Sequence, residues 1–371
     1  MKKKILILGV ASVQMDAINE LKELGYETHA IAMAKDGPGA DLADYFEEIN
    51  ILDENSIINY IKENKISAVY SIGSDLAIPV ASSISEKLDL PLFVTEDTAR
   101  FCNNKNLMRG KLGNDFFGNV KFQIVENIED DIKINYPFIL KPTDSQGQRG
   151  VFLINSFEDY VNNYNKAKEY SRSGLVILEQ YISGPELSVN GYIVNGELVF
   201  LIPSDRQTWP EYTGLIHKHI VPSVNLAGDI SDKMKLIIEK ACSKLGINNG
   251  PVYTQMKLEQ GIPYIIEITP RLDGCHMWKI LTYYTGVNLI KLTFQHLLEN
   301  DVSELNKQYD NYRDSYVLEF ICQKPKTAAS YTDFENEIRN ALYSFNYYNP
   351  GDIIRPVNGR FEKIGYFINK V

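Results

Sequence analysis

Residues 138–151 read FILKPTDSQGQRGV. Lys141 closes an apolar run, Pro142 follows it, and a short loop then carries Ser145, Gly147 and Gly150. A lysine at the end of a strand presents its ammonium at a fixed point. Glycines let the backbone approach a ligand, while the serine hydroxyl and the loop amides donate. That is how a loop wraps phosphate oxygens. The GxxxxGK[ST] pattern is absent, so this is no Walker A loop, and a plain strand–turn–strand hairpin fits these residues equally well on their own. The flanking sequence has to decide.

Upstream, KKILILGV is a buried-strand pattern that runs into SVQMDAINELKELGY, where apolar residues recur at helical spacing and Gly25 follows as the C-cap. ETHAIAMA is a second strand and SAVYSIGS a third. NSIINYIKENKI, capped by an Asn or Ser, and LAIPVASSISEKLDL are helices, and PLFV is a short strand. Strands alternating with helices predict a parallel sheet covered on both faces, filling residues 1–100 as a Rossmann-like α/β domain. TARFCNNKNLMRGKLG then reads as a helical link.

Downstream the texture changes to α+β. VKFQIV, PFILKP, GVFLIN and LVILEQYI are strands, with one helix in SFEDYVNNYNKAKEYSR. ELSVNGYIVNGELVFLIPSD and VYTQMKLEQGIPYIIEI contain VNGE and EQGI, glycine-bearing hairpin turns that predict antiparallel sheets. The expected divisions are 101–185 as a small lobe with its linker helix, 186–314 as a large lobe, and 315–371 as a Tyr- and Asn-rich strand segment packed on the large lobe. There is no internal repeat.

Three further stretches carry candidate chemistry. In LVILEQYISGPELSVNGY, Glu179 and Glu186 lie on strands joined by a linker with Gly184 and Pro185. Both carboxylates could face one cleft and accept from an adenine amino group or ribose hydroxyls; edge-strand charges in solvent are the plain alternative. In YTQMKLEQGIPYIIEITPRLDG, a tight turn brings Gln255 near Glu267, and Thr269 shares the strand face of Glu267. Converging oxygens suit Mg2+, which takes a few protein groups together with waters and phosphates. Arg271, held after Pro270, is a good partner for a phosphoryl or carboxylate oxygen. In SDRQTWPEYTGLIHKHIVPS and RLDGCHMW, Arg206 could clamp a carboxylate and His276 could accept a proton from an amine. His217 and His219 read as exposed strand residues and Trp278 as core.

The order of these features, Lys105, Lys141, the glycine-rich loop, Glu179, Glu186, then Gln255, Glu267, Thr269 and Arg271, resembles the ATP-grasp ligases. It is nearest the branch with biotin carboxylase, the carbamoyl-phosphate synthetase large subunit and the L-amino-acid ligases. The resemblance covers nearly the whole chain, and PGDIIRPVNGRFEKIGYFIN is similar to that branch's C-terminal strands. It implies that Lys105 and Lys141 bind ATP phosphates and that Ser145–Gly150 closes over them. Glu179, Gln180, Tyr181 and Ile182 form the adenine hinge, and Glu186 takes the ribose. Gln255, Glu267 and Thr269 stand where the family has Glu, Glu and Asn as Mg2+ ligands, with Mn2+ as a substitute. Lys141 and Arg271 are the implied catalytic pair, Arg271 steadying the transferring phosphoryl group. The implied reaction joins a carboxylate to an amine through an acylphosphate, with release of ADP and phosphate. Only one of the three metal positions is a carboxylate, so a catalytically impaired ATP-binding protein is the first alternative.

The totals set the outer limits. The chain has 371 residues, 44% hydrophobic and 23% charged, with a formal net charge of −10. That balance argues against a nucleic-acid surface. The four cysteines have no CxxC or metal-ligand spacing, and the expectation is a reduced, cytoplasmic setting. MKKKILILGV resembles a signal peptide but reads better as a buried first strand. No apolar run reaches membrane-spanning length. The expected partners are therefore a small-molecule carboxylate and an amine, with no nucleic acid or membrane, and with a homodimer as an open outcome. A second alternative, an NAD(P)-dependent oxidoreductase, draws on ILILGVASVQ, but GxGxxG is incomplete because Gly9 is followed by Ala11 and Gln14.

Overall fold

The computed structural model describes residues 2–145, 149–309, 314–357 and 361–371. Gly147, one of the expected loop glycines, lies outside the described residues.

The first strand β1 (Lys4–Leu8) is followed by α1 (Ser12–Glu23), β2 (Glu27–Ala32), α2 (Pro38–Leu42), β3 (Tyr45–Glu48), α3 (Glu54–Asn64), β4 (Ala68–Tyr70) and α4 (Ala77–Leu88). The strands are parallel, in the order β3-β2-β1-β4. Ile5, Leu6, Ile7 and Leu8 are all fully buried, as expected of a central strand covered on both faces. The fourth strand is Tyr45–Glu48 and not PLFV. Tyr45–Glu48 is an edge strand without an apolar pattern, so only its backbone pairing with β2 marks it. Phe93 of PLFV instead plugs the side of the domain, 6.1 Å from the Tyr70 ring. The cap of α3 is Asp53, whose carboxylate accepts from the Ser56 amide at 3.2 Å, rather than an Asn or Ser.

Next come α5 (Glu96–Asn103), α6 (Lys105–Leu112), β5 (Phe122–Val125), β6 (Phe138–Pro142), β7 (Phe152–Ile154), α7 (Phe157–Glu169) and β8 (Val176–Gln180). The strands form an antiparallel sheet, β5-β8-β6-β7. Tyr160, Tyr164 and Ala167 of α7 pack on its Phe138, Leu140, Val176 and Leu178.

The rest of the chain supplies β9 (Glu186–Val194), β10 (Glu197–Trp209), β11 (Tyr212–Val221), α8 (Ile230–Leu245), β12 (Gly250–Glu259), β13 (Ile262–Thr269), α9 (Met277–Thr285), α10 (Leu289–Glu299), β14 (Tyr316–Gln323), β15 (Tyr343–Asn346) and β16 (Glu362–Lys370). These strands make one sheet, β13-β12-β9-β10-β11-β14-β16-β15. Both predicted hairpins are present. Asn195 and Gly196 (φ 52° and 85°) and Gln260 and Gly261 (φ 52° and 75°) take the paired positive φ values of the turn that matches strand twist. In the last segment Ala329, Tyr331 and Ile354 pack on Ile321, Ile364 and Phe367, and its strands also extend the large sheet. β14 pairs with β11 through its backbone, and β16 and β15 follow outward.

The register decides which side chains meet. Gln255 is opposite Ser188 and Glu267, Tyr253 opposite Asn190 and Thr269, Ser204 opposite Ser188, and Arg206 opposite His219. Directly paired residues share a sheet face. One face therefore carries nearly every polar candidate of the large sheet.

Candidate active site

Lys141 and Glu179 sit on neighbouring strands β6 and β8, diagonal across the ladder, since Ile139 is paired with Glu179 and Lys141 with Ile177. Their side chains meet as an ion pair, Nζ to Oε2 2.6 Å. The other carboxylate oxygen accepts from Arg109 Nε at 2.9 Å. All three groups are buried, Arg109 completely. Burial would raise the Glu179 carboxyl, but Arg109 and Lys141 outweigh it and hold it down to about 2. Burial pushes Lys141 down to about 8; Glu179 opposes this and the neighbouring Lys105 and Arg109 charges assist it. One carboxylate thus serves two cations. The expectation that Glu179 accepts from adenine is corrected: its oxygens are committed to Arg109 and Lys141.

Arg109 also crosses to the large sheet. Its Nη1 donates to the carbonyl of Ile265 and to Asn119 Oδ1, both at 2.7 Å, and its Nη2 donates to the carbonyl of Ile266 at 3.1 Å. Glu267 is the next residue, so a continuous hydrogen-bonded path runs from Lys141 through Glu179 and Arg109 to the strand bearing Glu267. Arg109 was not singled out in the sequence. Its signal was present: Met108, Arg109 and Leu112 form the buried side of α6, so an arginine occupies a core position.

The loop stem is fixed on both sides. Lys105 donates from its backbone to the Thr143 carbonyl at 3.1 Å and from Nζ to the Ser145 carbonyl at 3.2 Å. Asp144 accepts from the Arg172 and Ser173 amides at 3.0 and 2.9 Å. Gly150 has φ +72°, and a Cβ there would meet Tyr170 at 2.9 Å and Pro142 at 3.0 Å, so both the backbone and the space require glycine. At the hinge, the Gln180 amide donates to the Lys121 carbonyl at 2.9 Å, Ile182 is buried, and the Ser183 amide donates to Glu259 at 3.0 Å. Tyr181 lies under Lys257, Nζ 5.3 Å from its ring centre.

Arg271 is buried and makes a bidentate pair with Asp75, Nε to Oδ1 2.5 Å and Nη2 to Oδ2 2.8 Å. Its guanidinium lies 5.5 Å from the Tyr253 ring centre. Asp75 belongs to the loop after β4, at the carboxyl end of the parallel sheet where such sheets bind ligands. It too was missed in the sequence. Burial would raise its carboxyl, but Arg271 holds it low, and Lys105 acts on it as well.

Gln255 Nε2 donates to Glu186 Oε1 at 2.5 Å, and Arg206 pairs with the same oxygen. Glu186 therefore belongs to a polar row across the sheet and does not stand alone at a ribose position. Among the described residues no group of three His, Cys, Asp or Glu side chains could hold a metal. Thr269 is buried and its Oγ1 has no partner among them. An orphaned hydroxyl beside the Glu267 carboxylate and an amide oxygen fits a hard cation completed by phosphate oxygens.

His276 is not a substrate base. It is 1% exposed, with Nδ1 2.9 Å from Asp16 Oδ2 and Nε2 3.0 Å from the Tyr347 hydroxyl, and it stacks on Tyr366. Both nitrogens are used in tying α1 to the large sheet, a task Trp278 shares through Asp16. His219 is completely buried, contrary to its reading as an exposed strand residue, because it shares the covered face with Arg206. His217 sits at a bulge, pairs with Glu319 at 2.9 Å and stacks on Trp209. At the β1–α1 turn the Gln14 side chain packs 3.3 Å from where a Cβ on Gly9 would stand and donates to the Ile72 carbonyl at 2.7 Å.

Residues 134–279 match the ATP-grasp domain family. The chain is 25% identical over 320 residues to dapdiamide A synthase of Enterobacter agglomerans, covering 80% of this chain and 73% of that protein. It is 28% identical to the formate-dependent phosphoribosylglycinamide formyltransferase of Prochlorococcus marinus, a match that spans 54% of each. In structure, this chain superposes on the L-amino acid ligase of Bacillus licheniformis with a TM-score of 0.82, at 20% identity, covering 100% of this chain and 93% of that one. That superposition takes in the parallel N-terminal sheet and both antiparallel sheets. No helix among the described residues is long and apolar enough to cross a membrane.

Proposed function

We propose that this protein is an ATP-dependent carboxylate–amine ligase that forms an acylphosphate and releases ADP and phosphate. The observation that carries the reading is the Arg109 bridge, which brings the Lys141–Glu179 pair and the Glu267 strand around one place. Lys105 and Lys141 neutralise the triphosphate, and the hinge from Glu179 to Ile182 receives the adenine through its backbone. Arg271, clamped by Asp75 and Tyr253, faces the charge that develops on phosphoryl transfer, a role suited to a rigid guanidinium. Glu267, Thr269 and the Gln255 amide would hold Mg2+ or Mn2+, which supplies neutralising charge at the phosphates. The loop from Ser145 to Gly150 keeps water from the activated carboxyl, because an acylphosphate exposed to water hydrolyses. Ligation then needs only an amine placed beside it, and no enzyme nucleophile. The names of the relatives, two of them ligases or synthases, support this reading.

Gln255 donating to Glu186 favours a second reading, an ATP-binding protein without turnover. An ADP-release screen of pooled acids against pooled amines separates the two. Under the ligase reading Lys141→Ala and Glu267→Ala each abolish ADP production while the protein stays folded. Turnover retained in both variants would refute it.

A further inference from the structure

β12 leads from the phosphate end of the site to the hinge. On one of its faces Tyr253 lies beside Arg271, Gln255 is opposite Glu267, and Lys257 reaches Tyr181 of the hinge. Side chains on one strand face recur about every 7 Å. Lys257 therefore stands toward the base of a nucleotide whose phosphates lie at Lys141 and Glu267. The hinge is tied to this end of β12. The Pro185 carbonyl accepts from the Leu258 amide at 3.0 Å, and Glu259 accepts from the Ser183 amide and hydroxyl at 3.0 and 2.9 Å.

Lys257 is half-buried, and its ammonium sits over the Tyr181 ring, 5.3 Å from the centre. Among the described residues it has no hydrogen-bond acceptor and no carboxylate at ion-pair distance. Glu186, directly opposite on β9, is engaged by Gln255 and Arg206. Glu259 is engaged by Ser183 and acts on Lys257 only from farther away, against the burial that pushes the ammonium down. A half-buried ammonium in this position has hydrogens to give and no acceptor to take them. The ring nitrogens of a purine are acceptors of that kind. The hinge has spent part of its own supply of donors, since the Gln180 amide donates to the Lys121 carbonyl and the Ser183 amide to Glu259. Ribose hydroxyls suit Lys257 less well, because they also need an acceptor and an ammonium is none.

We propose that Lys257 reads the nucleotide base, its ammonium donating to a ring nitrogen of the purine received at the hinge. This rests on the ATP-binding part of the function proposed above and adds the side chain that recognises the base. A charged donor makes a stronger hydrogen bond than an amide does. The base is then held from two sides, by the backbone of the hinge and by a side chain of the large sheet.

The test uses the whole protein with Mg2+. Calorimetry gives dissociation constants for ATP, for 1-deaza-, 3-deaza- and 7-deaza-ATP, and for 2′-deoxy- and 3′-deoxy-ATP, in wild type, Lys257→Met and Lys257→Arg. Each deaza analogue replaces one ring nitrogen by C–H and keeps the rest of the nucleotide. In wild type at least one of them should bind about ten- to a hundredfold more weakly than ATP, the loss of one hydrogen bond from a charged donor. Lys257→Met should lose ATP by a similar factor and bind that analogue about as wild type does, so that the gap closes. Lys257→Arg should keep part of it. The wild-type series needs no variant to fold: if every deaza analogue binds as ATP does, the proposal falls. It falls as well if folded Lys257→Met binds ATP as wild type does, if every gap persists in that variant, or if the gap that closes is that of a deoxy analogue. Base-dependent binding of ATP without ADP release from any acid–amine pair would sink the ligase reading and leave the role of Lys257 standing. A wild type that binds none of these nucleotides would sink both.

Discussion

Arg109 Nε and Glu179 Oε1 lie 2.9 Å apart in the interior, the arginine with no exposed surface. One helix thereby holds the carboxylate that in turn holds Lys141. Removing the guanidinium strands an ion pair away from water and leaves the Ile265 and Ile266 carbonyls unpaired. Breaking a buried pair by deleting one partner costs about 3–5 kcal/mol. Arg109→Met should therefore lower the thermal midpoint markedly. Arg109→Met/Glu179→Met should be less stable again, because Glu179 still pairs with Lys141 in the single variant and its removal leaves the buried Lys141 ammonium alone. A double variant more stable than Arg109→Met would contradict this account.

Acid should find the same cluster. The Glu179 carboxyl is held down to about 2, below its unfolded value of 4.5. A depressed carboxyl contributes stability that is present above its unfolded value and is lost as pH falls through its folded value. Wild type should therefore lose this contribution between 4.5 and about 2. Glu179→Gln should be less stable at neutral pH and should show less loss across that window. Thermal midpoints measured against pH for both proteins check it.

Base should act on nucleotide binding through Lys141, whose ammonium burial lowers to about 8. The free protein loses that proton as pH rises through this value, and a triphosphate alongside favours the charged form. ATP binding above the transition must therefore take up a proton. The apparent dissociation constant should rise with pH there, by up to about tenfold per unit. Calorimetry in buffers of different ionisation enthalpy should find proton uptake near zero at neutral pH and approaching one well above the transition. Lys141→Met should bind weakly and without this pH dependence. Proton uptake that is the same on both sides of the transition would overturn the assignment.

Asp75 reaches Arg271 from the N-terminal sheet, and its value should lie in positioning. Asp75→Asn keeps the shape but loses the paired charge, leaving the guanidinium free to shift. Misplacement of a reacting group by about 1 Å can cost a hundredfold in rate. A drop of that order in kcat for ADP release, with ATP affinity within a fewfold of wild type, is expected. An unchanged kcat would leave Arg271 without need of Asp75.

Much of this was legible in the chain because periodicity and turn chemistry are local. The apolar β1, the helical spacing of α1 and the Asn195-Gly196 and Gln260-Gly261 turns mark their elements wherever they pack. The turn between β12 and β13 by itself would set Gln255 opposite Ile266; a register shift between Gln255 and Met256 is what puts Glu267 there. The β3 edge strand left no pattern, since an exposed strand needs no apolar face. Side-chain partnerships were the harder part. Glu179 and Lys141 each looked suited to a ligand, and only the β6–β8 register shows that they bind each other. His276 has the spacing of a site residue, yet its partner Asp16 is 260 positions away.

The metal positions give the last expectation. Glu267 is the one carboxylate among the three, and Gln255 turns its amide toward Glu186 at 2.5 Å. Gln255→Glu would put a third carboxylate beside Glu186 and Glu267. Without a cation the like charges repel, so the ligand-free protein should melt earlier. With Mg2+ the added charge is a hard oxygen ligand, and affinity at such sites rises with the number of charged ligands. The Mg2+ concentration that half-saturates ATP-dependent stabilisation should fall severalfold in Gln255→Glu and rise in Glu267→Gln. A Mg2+ requirement that neither substitution moves would place the metal elsewhere.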